Sequence, residues 1–199
     1  TENGCTEAST QVVIDQSLSG PTVVISNDGI LTCTNNDVLL DGLSSTAGGT
    51  LEYEWTDANG IVTTGPELTV LTPGQVSLVI TDLSNGCSST DVFLVEEDIN
   101  APDAITSTGG TLLCSQPNIL LDGNASSQNG NYTYEWWTFA NGGVINMVES
   151  SSITYNASVP GDYVIIVTNT DNGCTSISAP VTVDENISAP VPTMTPSAL

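Results

Sequence analysis

Apolar and polar residues alternate in short runs along the chain, and Gly, Asn, Asp, Pro and Ser separate the runs. Such runs recur about every eight to twelve residues, which is typical of β-sandwich strands, and almost nothing follows a helical period. In 51–56 the alternation places Trp55 on the inner face, and the matching segment places Trp136 there. The pattern predicts an all-β chain of sandwich domains with both tryptophans in the core.

A stretch that opens with Asn-Gly-Cys and closes at Pro occurs three times, at 3–21, 85–102 and 172–190. Each copy reads as the last strand of a domain followed by an acidic linker. An internal period of this kind indicates a tandem array. The predicted divisions are 1–21, the last strand and linker of a preceding repeat; 22–102 and 103–190, two whole repeats; and 191–199, the first strand of a following repeat. We therefore expect the chain to be a window in a longer array.

The charge of the chain is one-sided. It contains 23 Asp and Glu residues and no Lys, Arg or His, for a formal net charge of −23. Binding to a nucleic-acid backbone needs Lys and Arg to neutralise phosphates, so the composition excludes it. The acidic surface should instead attract cations and repel other copies, which favours solubility. No apolar run approaches the length of a membrane span.

Catalysis is difficult with this set of residues, and we predict that the chain is not an enzyme. A Ser or Cys nucleophile needs a neighbouring base, and neither His nor Lys is present. Glu52 and Glu54 share one strand face, as a carboxylate pair for glycoside hydrolysis would require. Their counterparts are Thr133 and Glu135, so the pair is not a feature of the repeat and is better explained as a solvated face.

Five cysteines recur at fixed places in the repeats, without a C-x-x-C pair or a histidine that would favour zinc. Disulfides in an oxidising, extracellular setting are therefore expected. The economical pairing is within repeats, Cys33 with Cys87 and Cys114 with Cys174, which leaves Cys5 unpaired. A sandwich of reversing strands would instead put these partners at opposite poles, too far apart for a bond. It would allow Cys33 to meet Cys174, and both pairings stay open.

Several motifs occur in the same order in both repeats: Leu-Asp-Gly with a following Ser-Ser, then Tyr-Glu-Trp, Pro-Gly and Asn-Gly-Cys. In this order they resemble the PKD-like, immunoglobulin-like repeats found in tandem in very long bacterial cell-surface and adhesin proteins. The resemblance implies tandem immunoglobulin-like (PKD-like) β-sandwich domains at a cell surface. PKD domains usually carry Asp-Phe-Gly-Asp-Gly after the Trp, whereas 56–60 and 138–142 read Thr-Asp-Ala-Asn-Gly and Thr-Phe-Ala-Asn-Gly. Any role of that acidic turn is therefore not carried over.

The second linker is the candidate metal site. Its residues Glu96, Glu97, Asp98 and Asn100 resemble the acidic linkers by which cadherin-like arrays hold Ca²⁺ between domains, and Ca²⁺ prefers such oxygen ligands. The other two linkers contain fewer acids. A solvated acidic hinge is the alternative to a calcium site.

Four Asn-x-Ser/Thr sequons lie in the second repeat or its exit. They are candidate glycosylation sites, at Asn124, Asn131, Asn156 and Asn186. Chance in a chain rich in Asn, Ser and Thr explains most of them equally well.

Two aromatic residues distinguish the second repeat. If Trp136 faces the core, Trp137 and Phe139 point outward, whereas Thr56 and Ala58 occupy the matching places in the first repeat. An exposed pair of rings is either a cover for a neighbouring loop or a contact surface for assembly.

These observations lead to two functional hypotheses. The first is a non-enzymatic structural repeat of an extracellular bacterial filament or long surface adhesin, a stiff spacer whose partners are neighbouring repeats or further copies. The alternative is a polysaccharide-binding accessory module of a secreted enzyme or adhesin tip. A spacer should recur many times in its parent, whereas a binding module should be unique.

Overall fold

Alternating residues form strands throughout the computed structural model, which describes Val12 and residues 19–140, 144–148 and 150–188, without the side chains of 139–140 and 144–148. This part of the chain contains no helix, and so none that could cross a membrane. The all-β prediction is confirmed. The strands are β1 Ser26–Asn27, β2 Leu31–Thr32, β3 Val38–Asp41, β4 Leu51–Thr56, β5 Val62–Thr64, β6 Glu67–Val70, β7 Gly74–Asp82, β8 Cys87–Val95, β9 Glu97–Asp98, β10 Gly110–Leu113, β11 Ile119–Asp122, β12 Tyr132–Ala140, β13 Val144–Val148, β14 Thr154–Ala157, β15 Gly161–Asn169, β16 Thr175–Ile177 and β17 Val181–Asn186.

The strands form two compact units whose limits differ from the repeat limits in sequence. The first unit contains the described residues up to Ile30 together with Asp37–Glu96. The second contains Leu31–Asn36 and the described residues from Glu97 onward. The short segment Leu31–Asn36 is thus part of the second unit although both of its chain neighbours belong to the first.

In the first unit, a four-stranded antiparallel sheet has the order β5-β4-β7-β8, and a three-stranded sheet has the order β1-β3-β6. Their inward-facing residues form the core: Val38, Leu40, Trp55, Val76, Leu78 and Ile80 are all fully buried. The predicted inward position of Trp55 is confirmed, and its indole Nε1 donates to the Gly65 carbonyl at 2.9 Å. A Cβ on Gly42 would lie 2.9 Å from Leu78 Cδ2, so the Gly of Leu-Asp-Gly permits close packing.

In the second unit, the main sheet has the order β10-β17-β15-β12-β13, with β16 also paired to β15. Separate two-stranded sheets join β11 to β14 and β2 to β9. The core combines residues of the main sheet with residues of β11 and β14, namely Leu112, Ile119, Leu121, Trp136, Ala157, Tyr163, Ile165, Val167, Val181 and Val183. Trp136 is fully buried as predicted, and its Nε1 donates to the Ser152 carbonyl at 3.1 Å.

The last strand differs between the repeats. In the first repeat β8 runs unbroken for nine residues, whereas the second repeat divides the same region into β16 and β17. Pro180 lies in the gap and has no N–H to donate to a ladder. Ser178, the first residue after β16, extends the pairing with β15. Its N–H donates to the Ile165 carbonyl at 3.0 Å, and its Oγ accepts from the Ile165 N–H at 3.1 Å.

A buried serine fastens the first segment of each repeat. Ser45 Oγ accepts from the Val24 N–H at 2.9 Å and donates to the Val24 carbonyl at 3.2 Å. Ser126 makes the same two bonds to Ile105, at 2.8 and 3.0 Å. One hydroxyl therefore takes the place of a strand partner, which explains the serine that follows Leu-Asp-Gly at the same spacing in both repeats.

We predict that Ser45→Ala destabilises the protein by about 1 kcal/mol, because it removes both hydrogen bonds between the buried hydroxyl and the Val24 backbone. The measurement is the urea midpoint followed by circular dichroism. Ser44→Ala is the matched control, since Ser44 is the exposed neighbour. Equal midpoints for the two variants would contradict the prediction.

Candidate functional site

The Asn-Gly-Cys turn of the second repeat follows β15, and its geometry depends on each of its residues. Cys174 N–H donates to Asn172 Oδ1 at 2.9 Å, which closes an Asx-type turn. Gly173 has φ +72°, a left-handed conformation that favours glycine. A Cβ there would also lie 2.3 Å from Thr34 Cγ2. The turn therefore requires Gly for its backbone and for its contact with the Leu31–Asn36 segment.

A disulfide joins Cys33 to Cys174, with the two Cα atoms 5.0 Å apart and a sequence separation of 141 residues. Cys33 directly follows β2, which pairs in parallel with β9. Cys174 is only 1% exposed. The bond closes a loop that begins in the sequence of the first repeat and ends in that of the second, while both sulfurs belong to the second unit.

The economical pairing within repeats is wrong: Cys87 and Cys114 are free thiols. The distance along β15 gives the reason. Cys174 lies near the end of β15 where Thr168 pairs with Thr175, whereas Cys114 follows β10, whose partner β17 pairs at the opposite end of β15. Nine residues of strand span about 30 Å, and a disulfide needs Cα atoms within about 7 Å. Cys5 lies outside the described residues.

Asn172 binds the second linker. It is 2% exposed, and its Nδ2 donates to Asp98 Oδ1 at 3.0 Å and to the Asn100 carbonyl at 3.0 Å. Asp98 Oδ1 also accepts from the N–H and the Nδ2 of Asn100, at 3.2 and 3.0 Å. The Asn172 amide, followed by these Asn100 donors, holds the pKa of Asp98 below its ordinary value. We call Cys33, Asp98, Asn172 and Cys174 the clamp.

Asp98 and Asn100, which the sequence suggested as calcium ligands, form hydrogen bonds within the protein. Their polar groups bind each other and Asn172, while Glu96 and Glu97 are exposed. No group of three or more His, Cys, Asp or Glu within the described ranges could hold a metal ion. Calcium binding by this linker stays a prediction.

The sequence showed Asn172 only as a turn residue, and its role as the partner of Asp98 was missed. The available signal was the Asn that precedes Gly-Cys in all three copies. A turn with glycine explains the Gly but does not require an amide there, because Asp and Ser serve similar turns. Asn has an amide oxygen that closes the turn and two amide hydrogens that reach both the carboxylate and the Asn100 carbonyl, whereas Asp has no donor and Ser has only one.

The structure describes the side chain of Trp137 but only the backbone position of Phe139, the two aromatic residues predicted to point outward. Trp137 is half-buried, and its Nε1 donates to Glu135 Oε2 at 3.1 Å. Phe139 belongs to β12, opposite Ile145, but its side chain lies outside the described part. Their role as an assembly surface stays a prediction.

All four sequon asparagines are exposed. The Asn131 amide is engaged, since its Nδ2 donates to Asp171 Oδ1 at 2.9 Å. Asn124 follows the Leu-Asp-Gly turn, where its N–H donates to Asp122 Oδ1 at 2.8 Å. Glycosylation at Asn124, Asn131, Asn156 and Asn186 stays a prediction.

No protein-family model and no curated protein matches the chain. Among solved structures it is similar to the PKD1 domain of Vibrio anguillarum Epp, with 22% identity over 41% of this chain and 100% of that chain and a TM-score of 0.33. It is also similar to three N-terminal domains of the bacteriophage RB49 outer capsid protein Hoc, with 18% identity, 83% and 59% coverage and a TM-score of 0.43. A third similar structure is a promiscuous carbohydrate-binding module of the β-sandwich superfamily, with 19% identity, 75% and 55% coverage and a TM-score of 0.37. One of these neighbours is thus a PKD domain, the type that the sequence motifs resemble, and another is a β-sandwich module.

We predict that Asp98→Asn lowers the melting temperature at neutral pH. A carboxylate with a lowered folded pKa contributes stability above its unfolded pKa of about 4. That contribution is lost as the pH falls through the lower folded value. The difference between wild type and variant should therefore shrink below about pH 4.

Glu97→Gln is the control, because it removes the same charge from the exposed neighbouring side chain. Thermal melts of all three proteins across the acid range test the prediction. A difference that persists undiminished in acid, or an equal loss in both variants at neutral pH, would contradict it.

Proposed function

We propose that the chain is a non-enzymatic structural repeat of an extracellular bacterial filament or long surface adhesin, in which it acts as a spacer. The observation that carries the proposal is the Cys33–Cys174 bond, which ties a segment of the first repeat to the turn of the second. Disulfides persist in oxidising environments outside the cytosol, which supports the extracellular location.

The clamp suits a chain that carries tension. A disulfide is covalent, so the residues between its two cysteines, which lie 141 positions apart, cannot extend under force until it is reduced. The Asn172 amide adds hydrogen bonds from the same turn to the linker. A covalent bond therefore resists tension along the chain, in addition to the free energy that unfolding of the two units requires.

Charge supports the same role. Copies with 23 acidic residues and no Lys, Arg or His repel each other in solution. Such repulsion keeps long acidic arrays soluble and opposes unspecific association. This favours a solvated spacer over a module that packs through complementary charge.

The experiment that tests the function is surface proteolysis of intact cells that make the protein. A Glu-directed protease is needed because trypsin has no cleavage site in this chain. We expect release of its peptides with Cys33 and Cys174 still joined, and filaments of regular axial repeat in negative stain. Recovery only from lysates, with both cysteines reduced, would contradict the proposal. Retention on a polysaccharide without filaments would favour the accessory module.

We predict that single-molecule extension of the whole chain lengthens by roughly 500 Å on reduction, since each of 141 residues adds at most about 3.6 Å. Cys33→Ser with Cys174→Ser should give the long extension without a reductant. Cys87→Ser with Cys114→Ser is the control and should behave as wild type, because these thiols are free. Equal lengths in oxidised and reduced protein would show that the clamp bears no tension.

A further inference from the structure

An asparagine that is followed by a glycine can modify itself, because the backbone nitrogen of the glycine can attack the side-chain carbonyl carbon of the asparagine. Glycine has no side chain to obstruct this approach. The sequence contains six Asn-Gly pairs, which begin at Asn3, Asn59, Asn85, Asn129, Asn141 and Asn172. The four that begin at residues 59, 85, 129 and 172 lie within the described part of the chain, and their surroundings differ.

Three of these four glycines donate their N–H to a backbone carbonyl. The three bonds are Gly60 to Asp57 at 3.0 Å, Gly86 to Asp82 at 2.7 Å and Gly173 to Asn169 at 2.8 Å. The attack requires the glycine nitrogen to lose its proton and to turn toward the side chain, so such a bond must break first. In the two Asn-Gly-Cys turns the amide oxygens of Asn85 and Asn172 also accept from the cysteine N–H, at 2.8 and 2.9 Å. Hydrogen bonds therefore protect these three pairs.

Gly130 differs, because its N–H has no hydrogen-bond partner in the described part of the chain. The Asn129 side chain has no partner there either, and both residues are exposed. Asn129 has φ +67° and is the only residue other than glycine with a positive φ among those described. The matching loop of the first repeat reads Ala-Gly-Gly at 47–49 and offers no asparagine. At this pair alone among the four, no hydrogen bond has to break before the attack.

The residues on both sides of the pair are fastened, so the pair forms the free tip of its loop. Gln128 Nε2 donates to the Asn124 carbonyl. On the other side, Asn131 Nδ2 donates to Asp171 Oδ1 at 2.9 Å. The Asn131 carbonyl accepts from the N–H and the Oγ1 of Thr170, at 2.8 and 2.9 Å. The free tip is thus confined to Asn129 and Gly130.

We propose that Asn129 is a site of self-modification, at which the folded protein converts asparagine to aspartate and isoaspartate with water as the only co-reactant. The inference goes beyond the proposed function and does not depend on it. Either product adds a carboxylate to the loop, and isoaspartate also lengthens the main chain by one carbon atom between the fastened residues Gln128 and Asn131. Because the reaction needs no enzyme, its extent rises with the age of the protein.

The reaction has two steps. The Gly130 nitrogen gives up its proton and bonds to Asn129 Cγ, the bond from Cγ to Nδ2 breaks, and ammonia leaves with that proton. Water then adds to one of the two carbonyl carbons of the resulting succinimide ring, and the bond from that carbon to the Gly130 nitrogen breaks. Opening at Cγ gives aspartate, whereas opening at the main-chain carbonyl carbon gives isoaspartate. One water is consumed, one ammonia is released, and nothing is oxidised or reduced.

The test follows the intact, folded chain in mildly alkaline buffer made with heavy-oxygen water, so that each conversion after the start adds a heavy oxygen atom. Reduction and cleavage after glutamate in ordinary water then place the six Asn-Gly pairs on six separate peptides for mass spectrometry. We expect Asn129 to convert about fivefold faster than Asn59, which corresponds to about 1 kcal/mol, the net contribution of one hydrogen bond such as that of Gly60. Conversion at Asn85 and Asn172 should be slower still.

Asn129→Gln is the control variant, because its longer side chain would have to close a larger ring and should leave that peptide unmodified. In denaturant the four pairs should react at similar rates. Conversion at Asn59 as fast as at Asn129 in the folded protein would overturn the proposal, and so would a folded Asn129 that stays intact while the unfolded chain reacts. A preference for Asn129 that persists undiminished in denaturant, or conversion of the same peptide in Asn129→Gln, would also contradict it.

Discussion

A chain with 23 carboxylates and no Lys, Arg or His must hold its parts together without side-chain ion pairs. Hydrogen bonds from hydroxyl and amide groups, together with a disulfide, connect these parts instead. Ser45 and Ser126 fasten backbone segments, and Asn172 donates to the Asp98 carboxylate where another protein would use Arg. An amide stabilises the carboxylate without neutralising it, so the linker keeps its negative charge while it is held in place. The disulfide supplies the strength that neutral hydrogen bonds, at about 1 kcal/mol each, do not.

The clamp also explains why the limits of the units differ from those of the repeats. Sequence similarity assigns residues 31–36 to the first repeat, but parallel pairing of β2 with β9 and the bond to Cys174 place this segment in the second unit. The chain therefore passes from one unit to the other three times, after Ile30, Asn36 and Glu96. Removal of the second repeat would deprive this segment of its partner.

Local pattern predicted much of this fold, because alternation reports which face of a strand is buried. It placed Trp55 and Trp136 correctly, and the repeated Leu-Asp-Gly and Asn-Gly-Cys motifs marked real turns. Strand reversal had allowed Cys33 to meet Cys174, and that alternative is confirmed. The choice between the two pairings could not be made from sequence, since it depends on the length of β15 and on the parallel strands, which no local run encodes. The charge of Asp98 suggested a metal ligand. Its hydrogen-bond partner lies 74 residues away in sequence and could be found only in the structure.

The 141-residue span of the disulfide also sets an order for biosynthesis. A growing chain emerges from its N-terminus, so on the proposed extracellular route Cys33, Cys87 and Cys114 reach an oxidising compartment before Cys174 does. Any bond that Cys33 makes with an earlier thiol must later be exchanged, and such reshuffling takes seconds to hours. The Cys33–Cys174 bond therefore cannot form until the Asn-Gly-Cys turn of the second repeat has been made.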